Sequence, residues 1–395
     1  MSVTSSRAAR ILFVDHAAVL GGAELSLLDI AIAMRDRGAV ALFEDGPFAA
    51  ALVGAGVAVI PVAAGAGLNA AKKDSRIPGL GAVRAAARAT FDLARSARPF
   101  ALLYANSPKS FLVSVAAGAL ARRPVVWHLR DILDLQHFSR SNVRLLVGFA
   151  NRRAARVVAN SHATANAFVA AGGRRDIVRV VHNGIDAAPF DGLAPSARAD
   201  ARQELGISET SFVVGSFSRL HPWKGQRVLL DALETLPDVH ALLVGGALFS
   251  GEAEFEAELH ERAARAPLAG RVHLLGARRE IPRLIAACDV VVHSSIWPEP
   301  FGRVLVEALL ASKPLIASDA GGVREIVEDG RTALLTAPGD AAQLARAIAE
   351  VRNDPARAAA MAAAGSADVR RRFTRSAMTA GVEQVIEDML AETRA

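Results

Sequence analysis

Short apolar runs recur along this chain, each followed by a stretch of helical periodicity, and that alternation restricts the fold more than any other feature. The first series is ILFVDH (11–16), VALF (40–43), VAVIPV (57–62), ALLYAN (101–106), PVVWH (124–128), RVVAN (156–160) and IVRVVHN (177–183). A second series follows: SFVVGSFS (211–218), HALLVG (240–245), RVHLLG (271–276), DVVVHSS (289–295), PLIAS (314–318) and TALLT (332–336). Runs this short and this uniformly apolar are strands buried on both faces, which requires a parallel sheet covered by helices on each side. Between the two series, NGIDAAPFDGLAPS (183–196) concentrates Gly, Pro and Asp, the composition of an interdomain connection. With 395 residues to place, two α/β domains are expected. In such sheets ligands sit beyond the carboxyl ends of the strands.

Composition excludes several classes. Apolar content of 52% with 22% charged residues describes a globular chain and not a disordered one. The longest apolar candidate for a membrane span, FLVSVAAGALA, is 11 residues and stops at Arg122. Arg7 and Arg10 precede only ILFV before Asp15, which reads as a strand and not a signal peptide. The single Cys288, inside IAACDVVV, excludes an internal disulfide and reads as a small core residue. A cytoplasmic location is therefore expected. The net charge of +6 is uneven: from Ala121 to Arg156, eight Arg stand against Asp131 and Asp134. Such a patch attracts anionic lipid, nucleic acid or phosphate-bearing substrates, and a solvated face is the equally open reading.

The stretch WPEPFGRVLVEAL (297–309) carries the most chemistry. A helix is expected from about Gly302, burying Val304, Leu305, Ala308 and Leu309. Its first N–H groups, near Phe301, Gly302 and Arg303, suit a phosphate or sugar oxygen. Glu299 and Glu307 bracket this turn and can accept hydrogen bonds from hydroxyls. Earlier, SRLHPWKGQ places Arg219 and Lys224 beyond the strand SFVVGSF, where two cations can neutralise a nucleotide diphosphate. No Asp-x-Asp, HExxH, Walker A loop or Cys cluster occurs, which favours metal-free chemistry without a cofactor. In the first half, Gly21 and Gly22 stand between a strand and a helix, an arrangement that presents N–H groups to an anion. They do not form a dinucleotide fingerprint, because the third Gly is missing. His128 is read as following the strand PVVWH, where a lone His is more often structural than functional. Asn106, Ser107 and Lys109 after LLYAN, with Arg130, are candidates for acceptor contacts; a helix cap is the equally open reading of the first three.

The Glu–x7–Glu stretch with Phe-Gly after its first Glu resembles the signature of the retaining GT-B glycosyltransferases of family four, the glycosyl transferases of group 1. The similarity extends from the GGAE loop to the last helix and is most specific from Phe212 to Gly339. It implies a fold of two Rossmann-like parallel-sheet domains facing a cleft. The expected division is an acceptor domain over 1–190, completed by a last helix at about 374–395, and a nucleotide-sugar donor domain over 191–373. The family roles fall on Glu299 for the transferred sugar, Glu307 for the ribose, Arg219 and Lys224 for the diphosphate, and His128 for the face of the donor sugar. Gly21 and Gly22 would approach the diphosphate from the first domain. Asn183 and Gly184 match the family's hinge-region Asn-Gly, and Gly321 and Gly322 open a helix near the nucleotide. The implied reaction is metal-independent sugar transfer with retention, to a saccharide or lipid-linked acceptor of envelope polysaccharide or glycolipid synthesis. The implied setting is the cytoplasmic side, peripheral at an anionic inner-membrane surface, with no nucleic-acid partner. A sugar-nucleotide epimerase or phosphorylase, or a non-catalytic two-lobed sugar-binding protein, remains as an alternative.

Overall fold

The computed structural model describes residues 9–63, 80–247 and 251–394. Arg7 and the Pro78 expected to precede a helix lie outside the described residues. The chain forms two compact units, 1–184 with 375–395, and 185–374.

Unit 1 alternates β1 (Ile11–Asp15), α1 (Gly22–Ala33), β2 (Gly38–Leu42), α2 (Pro47–Gly54), β3 (Ala58–Pro61) and α3 (Leu80–Ala97). It continues through β4 (Leu102–Ala105), α4 (Pro108–Ala121), β5 (Val125–Leu129), α5 (Arg140–Arg153), β6 (Ala154–Ala159), α6 (His162–Ala170) and β7 (Val178–Val180). The strands form one parallel sheet in the order β3-β2-β1-β4-β5-β6-β7. Because side chains alternate across a strand, neighbours in sequence supply opposite cores. Leu12 and Val14 pack under α3, α4 and α5 with Leu93, Phe111 and Leu146. Ile11 and Phe13 pack on the other face with Leu27, Ile30 and Phe48. On the first face Trp127 is fully buried and stacks on Phe111, with ring centroids 4.3 Å apart and 7° between planes.

Unit 2 begins with α7 (Ala188–Asp191) and α8 (Ala197–Glu204), then runs β8 (Phe212–Phe217), α9 (Gln226–Glu234), β9 (Val239–Val244), α10 (Ala253–Ala263), β10 (Val272–Gly276) and α11 (Ile281–Ala287). It ends with β11 (Val290–His293), α12 (Arg303–Leu310), β12 (Leu315–Ser318), α13 (Val323–Ile326), β13 (Leu334–Thr336), α14 (Ala341–Asn353) and α15 (Pro355–Arg372). Its parallel sheet has the order β10-β9-β8-β11-β12-β13. Arg202, wholly buried, donates to Ala287 O at 2.8 Å and Ser211 O at 2.9 Å, and pairs with Asp289 at 2.7 Å. Asp289 in turn accepts from Val213 N at 2.7 Å, so one buried cation ties α8 to the entrances of β8 and β11.

The last helix, α16 (Arg375–Arg394), returns to unit 1, where Met378, Val382, Ile386 and Met389 join the core of Ile11 and Phe13. The boundary falls after Gly184, earlier than residue 190, because Ile185 already bonds within unit 2: its N–H reaches Phe373 O at 2.9 Å. In both sheets the strand order reverses direction between the first strand of the unit and its neighbour, β1 beside β4 and β8 beside β11. These are the topological switch points where open α/β sheets bind ligands.

The expectation that His128 follows a strand does not hold. β5 continues through it to Leu129, with His128 paired to Val158 and Leu129 to Ala159. A histidine is tolerated inside the strand because Tyr104 Oη lies 2.7 Å from its Nδ1. The first residue past the strand is Arg130.

Candidate functional site

In unit 2 the loops after β8 and β11 converge. Beyond β8, Gly225 has φ of +72°, and a Cβ there would meet Ser294 O at 1.8 Å, so only glycine lets the Lys224 loop lie this close to the end of β11. Ser294 Oγ donates to Gly225 O at 3.0 Å and Ile296 N to Trp223 O at 2.8 Å, which fixes the register of the two loops. Lys224 Nζ reaches Glu299 Oε2 at 2.6 Å and lies 3.9 Å from the centroid of the Trp223 ring. The same Oε2 accepts from His293 Nε2 at 3.0 Å and from Ser295 Oγ at 3.2 Å. Three donors thus converge on one oxygen. Among the described residues nothing hydrogen-bonds Oε1 of Glu299, so it is the oxygen open to a ligand.

Burial alone would raise the Glu299 pKa, yet the charge of Lys224 and the His293 bond hold it well below the usual carboxylate range. Lys224 is pulled below the usual ammonium value by burial and by Arg219, with Glu299 opposing. Arg219 pairs with Glu252 at 3.0 Å, and its influence on Lys224 puts the two cations within electrostatic reach.

Helix α12 starts where the sequence places it. Gly302 is its N-cap with φ of +92°, and a Cβ there would sit 3.4 Å from Glu299 Cγ. The Phe301 side chain does not face a ligand: it is 2% exposed and packs edge-on against Phe373, with centroids 5.5 Å apart, leaving its backbone as the functional part. Glu307, in the second turn, lies 3.6 Å from Arg303; burial raises its pKa against that cation. A carboxyl denied water in this way gains from hydroxyls that replace the lost hydration. The Gly321–Gly322 turn closes the site from below, with Gly322 N donating to Glu299 O at 2.7 Å. Ser216, Ser218, Lys224, His293, Ser295 and Val304 line a small depression beside these groups.

In unit 1 a second polar cluster occupies the switch point. Gly21 caps α1 and Gly22 opens it, with Gly21 N donating to Glu24 Oε2 at 3.0 Å. Burial and the nearby Asp15 charge push Glu24 up to about 8. Asn106 donates to Asp15 Oδ2 at 2.5 Å and to Ala23 O at 3.3 Å, joining the end of β4 to β1 and to the first turn of α1. Arg130, 8% exposed, donates from Nε to Asn106 Oδ1 at 2.6 Å, from Nη1 to Asn183 Oδ1 at 2.9 Å, and from Nη2 to His128 Nδ1 at 3.1 Å. His128 is wholly buried, and burial together with Arg130 lowers its pKa far below the usual value, so the ring is neutral. With Tyr104 and Arg130 both donating to Nδ1, its proton resides on Nε2, which has no partner among the described residues. Lys109 lies in the first turn of α4, which Ser107 caps through a bond from Ser110 N at 3.3 Å.

The structure therefore gathers Arg219, Lys224, Glu299, Gly302, Arg303 and Glu307 in unit 2, and Gly21, Gly22, Asn106, His128 and Arg130 in unit 1. Sequence reasoning passed over His293 and Ser295, which hold Glu299, although the polar HSS closing an apolar strand was a visible signal. It also passed over Glu252, Glu24 and the Asp15–His16 pair, whose roles depend on partners distant in sequence. Among the described residues no helix is long and apolar enough to cross a membrane.

Residues 197–368 match the family described as Glycosyl transferases group 1, and residues 21–184 match the Glycosyl transferase 4-like domain. The lipopolysaccharide core biosynthesis mannosyltransferase LpsB of Rhizobium meliloti is 30% identical over 275 residues, 66% of this chain and 75% of that protein. The crystal structure of Anabaena Alr3699/HepE in complex with UDP and glucose superposes with a TM-score of 0.88 at 42% identity, covering 96% of this chain and 99% of that one. The same protein in complex with UDP-glucose gives 0.87 at 42% identity, covering 97% and 100%. These matches and the two parallel-sheet units identify a GT-B enzyme and remove the binding-protein alternative: the chain belongs to the group 1 glycosyl transferases.

Proposed function

We propose that the protein transfers a sugar, with glucose the first candidate, from a UDP-linked donor to a saccharide or lipid-linked acceptor, with retention of anomeric configuration. One observation carries this reading: a single oxygen of Glu299 is saturated by Lys224, His293 and Ser295 while the other is left open beside the tip of α12. A carboxylate held rigid and ionised in this way is a ready acceptor for two adjacent sugar hydroxyls. Glu307 takes the ribose hydroxyls, the N–H groups from Phe301 to Arg303 take phosphate or sugar oxygens, and Arg219 with Lys224 takes the diphosphate. Likeness to HepE, crystallised with UDP-glucose, supports the choice of donor. His128, with its proton on Nε2, is assigned to the donor-sugar side, and Gly21 and Gly22 to the diphosphate.

Arg219 and Lys224 supply two positive charges where the leaving diphosphate gains negative charge, so the reading requires no metal. No carboxylate is assigned as a nucleophile. The acceptor oxygen attacks the anomeric carbon from the face the phosphate leaves, through an oxocarbenium-like state, and its proton passes to the departing phosphate oxygen. Likeness to LpsB supports an envelope polysaccharide or glycolipid as product. Two helices of unit 1 support acceptor delivery at an anionic membrane surface. On α3, Arg84, Arg88, Phe91 and Arg95 form one exposed stripe, and α5, with no acidic residue, exposes Arg144, Leu145, Phe149 and Arg152.

The test is to incubate the protein with UDP-glucose and oligosaccharide or lipid-linked acceptors, with and without EDTA, and to read the product by proton NMR. An α-linked product, insensitive to chelation, is expected. A β-linked product would remove retention, loss of turnover in EDTA would remove metal independence, and isomerised donor without acceptor would favour the epimerase reading.

A further inference from the structure

Asp15 is wholly buried and accepts from His16 N at 2.6 Å, Asn106 Nδ2 at 2.5 Å and Ala17 N at 3.4 Å, with His16 Nδ1 3.2 Å away. Burial would raise its pKa, but the bond to and charge of His16 and the Asn106 bond hold it below the usual value, so the carboxylate is charged. The neighbouring His16 ring is 20% exposed. Its Nδ1 has two neighbours, Asp15 Oδ1 and Ser107 Oγ at 2.8 Å. The single hydroxyl hydrogen of Ser107 is committed to Ser110 Oγ at 2.9 Å, and Ser110 Oγ donates onward to Ser107 O at 3.0 Å. Both neighbours of Nδ1 are therefore acceptors, and the imidazole proton is on Nδ1. That leaves the Nε2 lone pair outward, with no partner among the described residues.

This is a built hydrogen-bond acceptor at the carboxyl end of β1, at the switch point of the unit-1 sheet. A lone pair repels phosphate oxygens, which carry no hydrogen, and attracts a hydroxyl. We infer that His16 Nε2 accepts the hydrogen bond of the acceptor's attacking hydroxyl, with Asp15 and Ser107 as positioning residues that fix the tautomer. The inference rests on the transferase reading above and adds the residue that orients the nucleophile. It leaves the proton's destination, the departing phosphate, unchanged.

The informative variant is His16→Asn. Its amide nitrogen occupies the place of Nδ1 and keeps the Asp15 and Ser107 contacts, but nothing remains at Nε2. His16→Gln restores a polar atom near Nε2. For His16→Asn we expect unchanged melting temperature and unchanged UDP affinity by calorimetry. Transfer to the acceptor, as kcat/KM, should fall about 10- to 100-fold, the loss of one hydrogen bond to the reacting group, and His16→Gln should recover part of it. Wild-type transfer by His16→Asn overturns the inference, and so does a matching fall in UDP affinity, which would make His16 a phosphate contact. Should His16→Asn fail to fold, the Asp15 and Ser107 contacts would not be satisfied as argued, and the tautomer argument falls with it. If the wild-type protein neither releases UDP from the donor nor transfers its sugar, it is the transferase reading that fails.

Discussion

Lys224 and Glu299 illustrate how a binding site stores charge before its ligand arrives. Each is desolvated, and each is tolerable only because the other is 2.6 Å away. Breaking such a pair by deleting one member leaves an uncompensated buried charge and costs about 3–5 kcal/mol. Lys224→Ala should therefore lower the melting temperature as well as turnover, with transition-state stabilisation reduced by about 3 kcal/mol. Arg219→Ala should lose a similar amount of turnover with less effect on melting, because the Arg219 side chain is 27% exposed where it pairs with Glu252. Near wild-type turnover in both would contradict their assignment to the diphosphate. Glu24 gives a pH signature of opposite sign to the usual acid pattern. Its pKa is raised to about 8 from the usual 4.5, so between those values the folded state holds a proton that the unfolded state has released. Stability then falls as pH rises through that window. Glu24→Gln removes the dependence, and its melting temperature should gain on the wild type between pH 5 and pH 9; parallel curves would show Glu24 ionised in the folded protein. None of this is visible from spacing, because the fate of Glu24 is decided by Asp15 and Arg130, and that of Glu299 by Lys224 and His293.

At the level of strands, turns and helices, the legible part and the hidden part separate by physical cause. Strands buried on both faces announce themselves as apolar runs, and all thirteen runs named from the sequence lie at strands of the two sheets. The start of α12 at Gly302 was legible too, since a glycine N-cap and a buried face leave a local pattern. The end of β5 was not, because His128 looks like the polar residue that closes a strand and is instead paid for inside it by Tyr104. Turn geometry was equally hidden. Gly321 has φ of +69°, and a Cβ there would meet Glu299 O at 2.3 Å and Glu299 N at 2.7 Å. The backbone carrying Glu299 therefore rests directly on this turn. Gly321→Ala should displace Glu299 and weaken UDP-glucose affinity by about 2 kcal/mol, the loss of hydrogen bonds to a charged group. The α-carbon strain adds about 1 kcal/mol to the stability loss. Unaltered affinity by calorimetry would mean the turn yields without moving the carboxylate.

For the molecule as a whole, charge is distributed by unit and by face. The exposed Arg and aromatic residues of α3 and α5 belong to unit 1. Each Lys or Arg near an anionic bilayer contributes about 1 kcal/mol. Arg144→Glu with Arg152→Glu should therefore abolish flotation with vesicles containing anionic lipid while leaving transfer to a soluble oligosaccharide unchanged. Equal flotation of wild type and variant, or none of the wild type at low salt, would contradict a membrane role for this face. The basic excess was readable from sequence, but its placement on exposed helix faces was not, because that depends on which side of α5 the sheet takes. The return of α16 has a further consequence. Unit 2 is continuous in sequence, whereas the core around Ile11 and Phe13 awaits Met378, Val382, Ile386 and Met389. On the ribosome the later-made half can mature first, and the earlier-made half must keep an apolar flank shielded until the final helix emerges. A premature stop just before residue 375 would thus spare the half nearest the break and cripple the one made long before it.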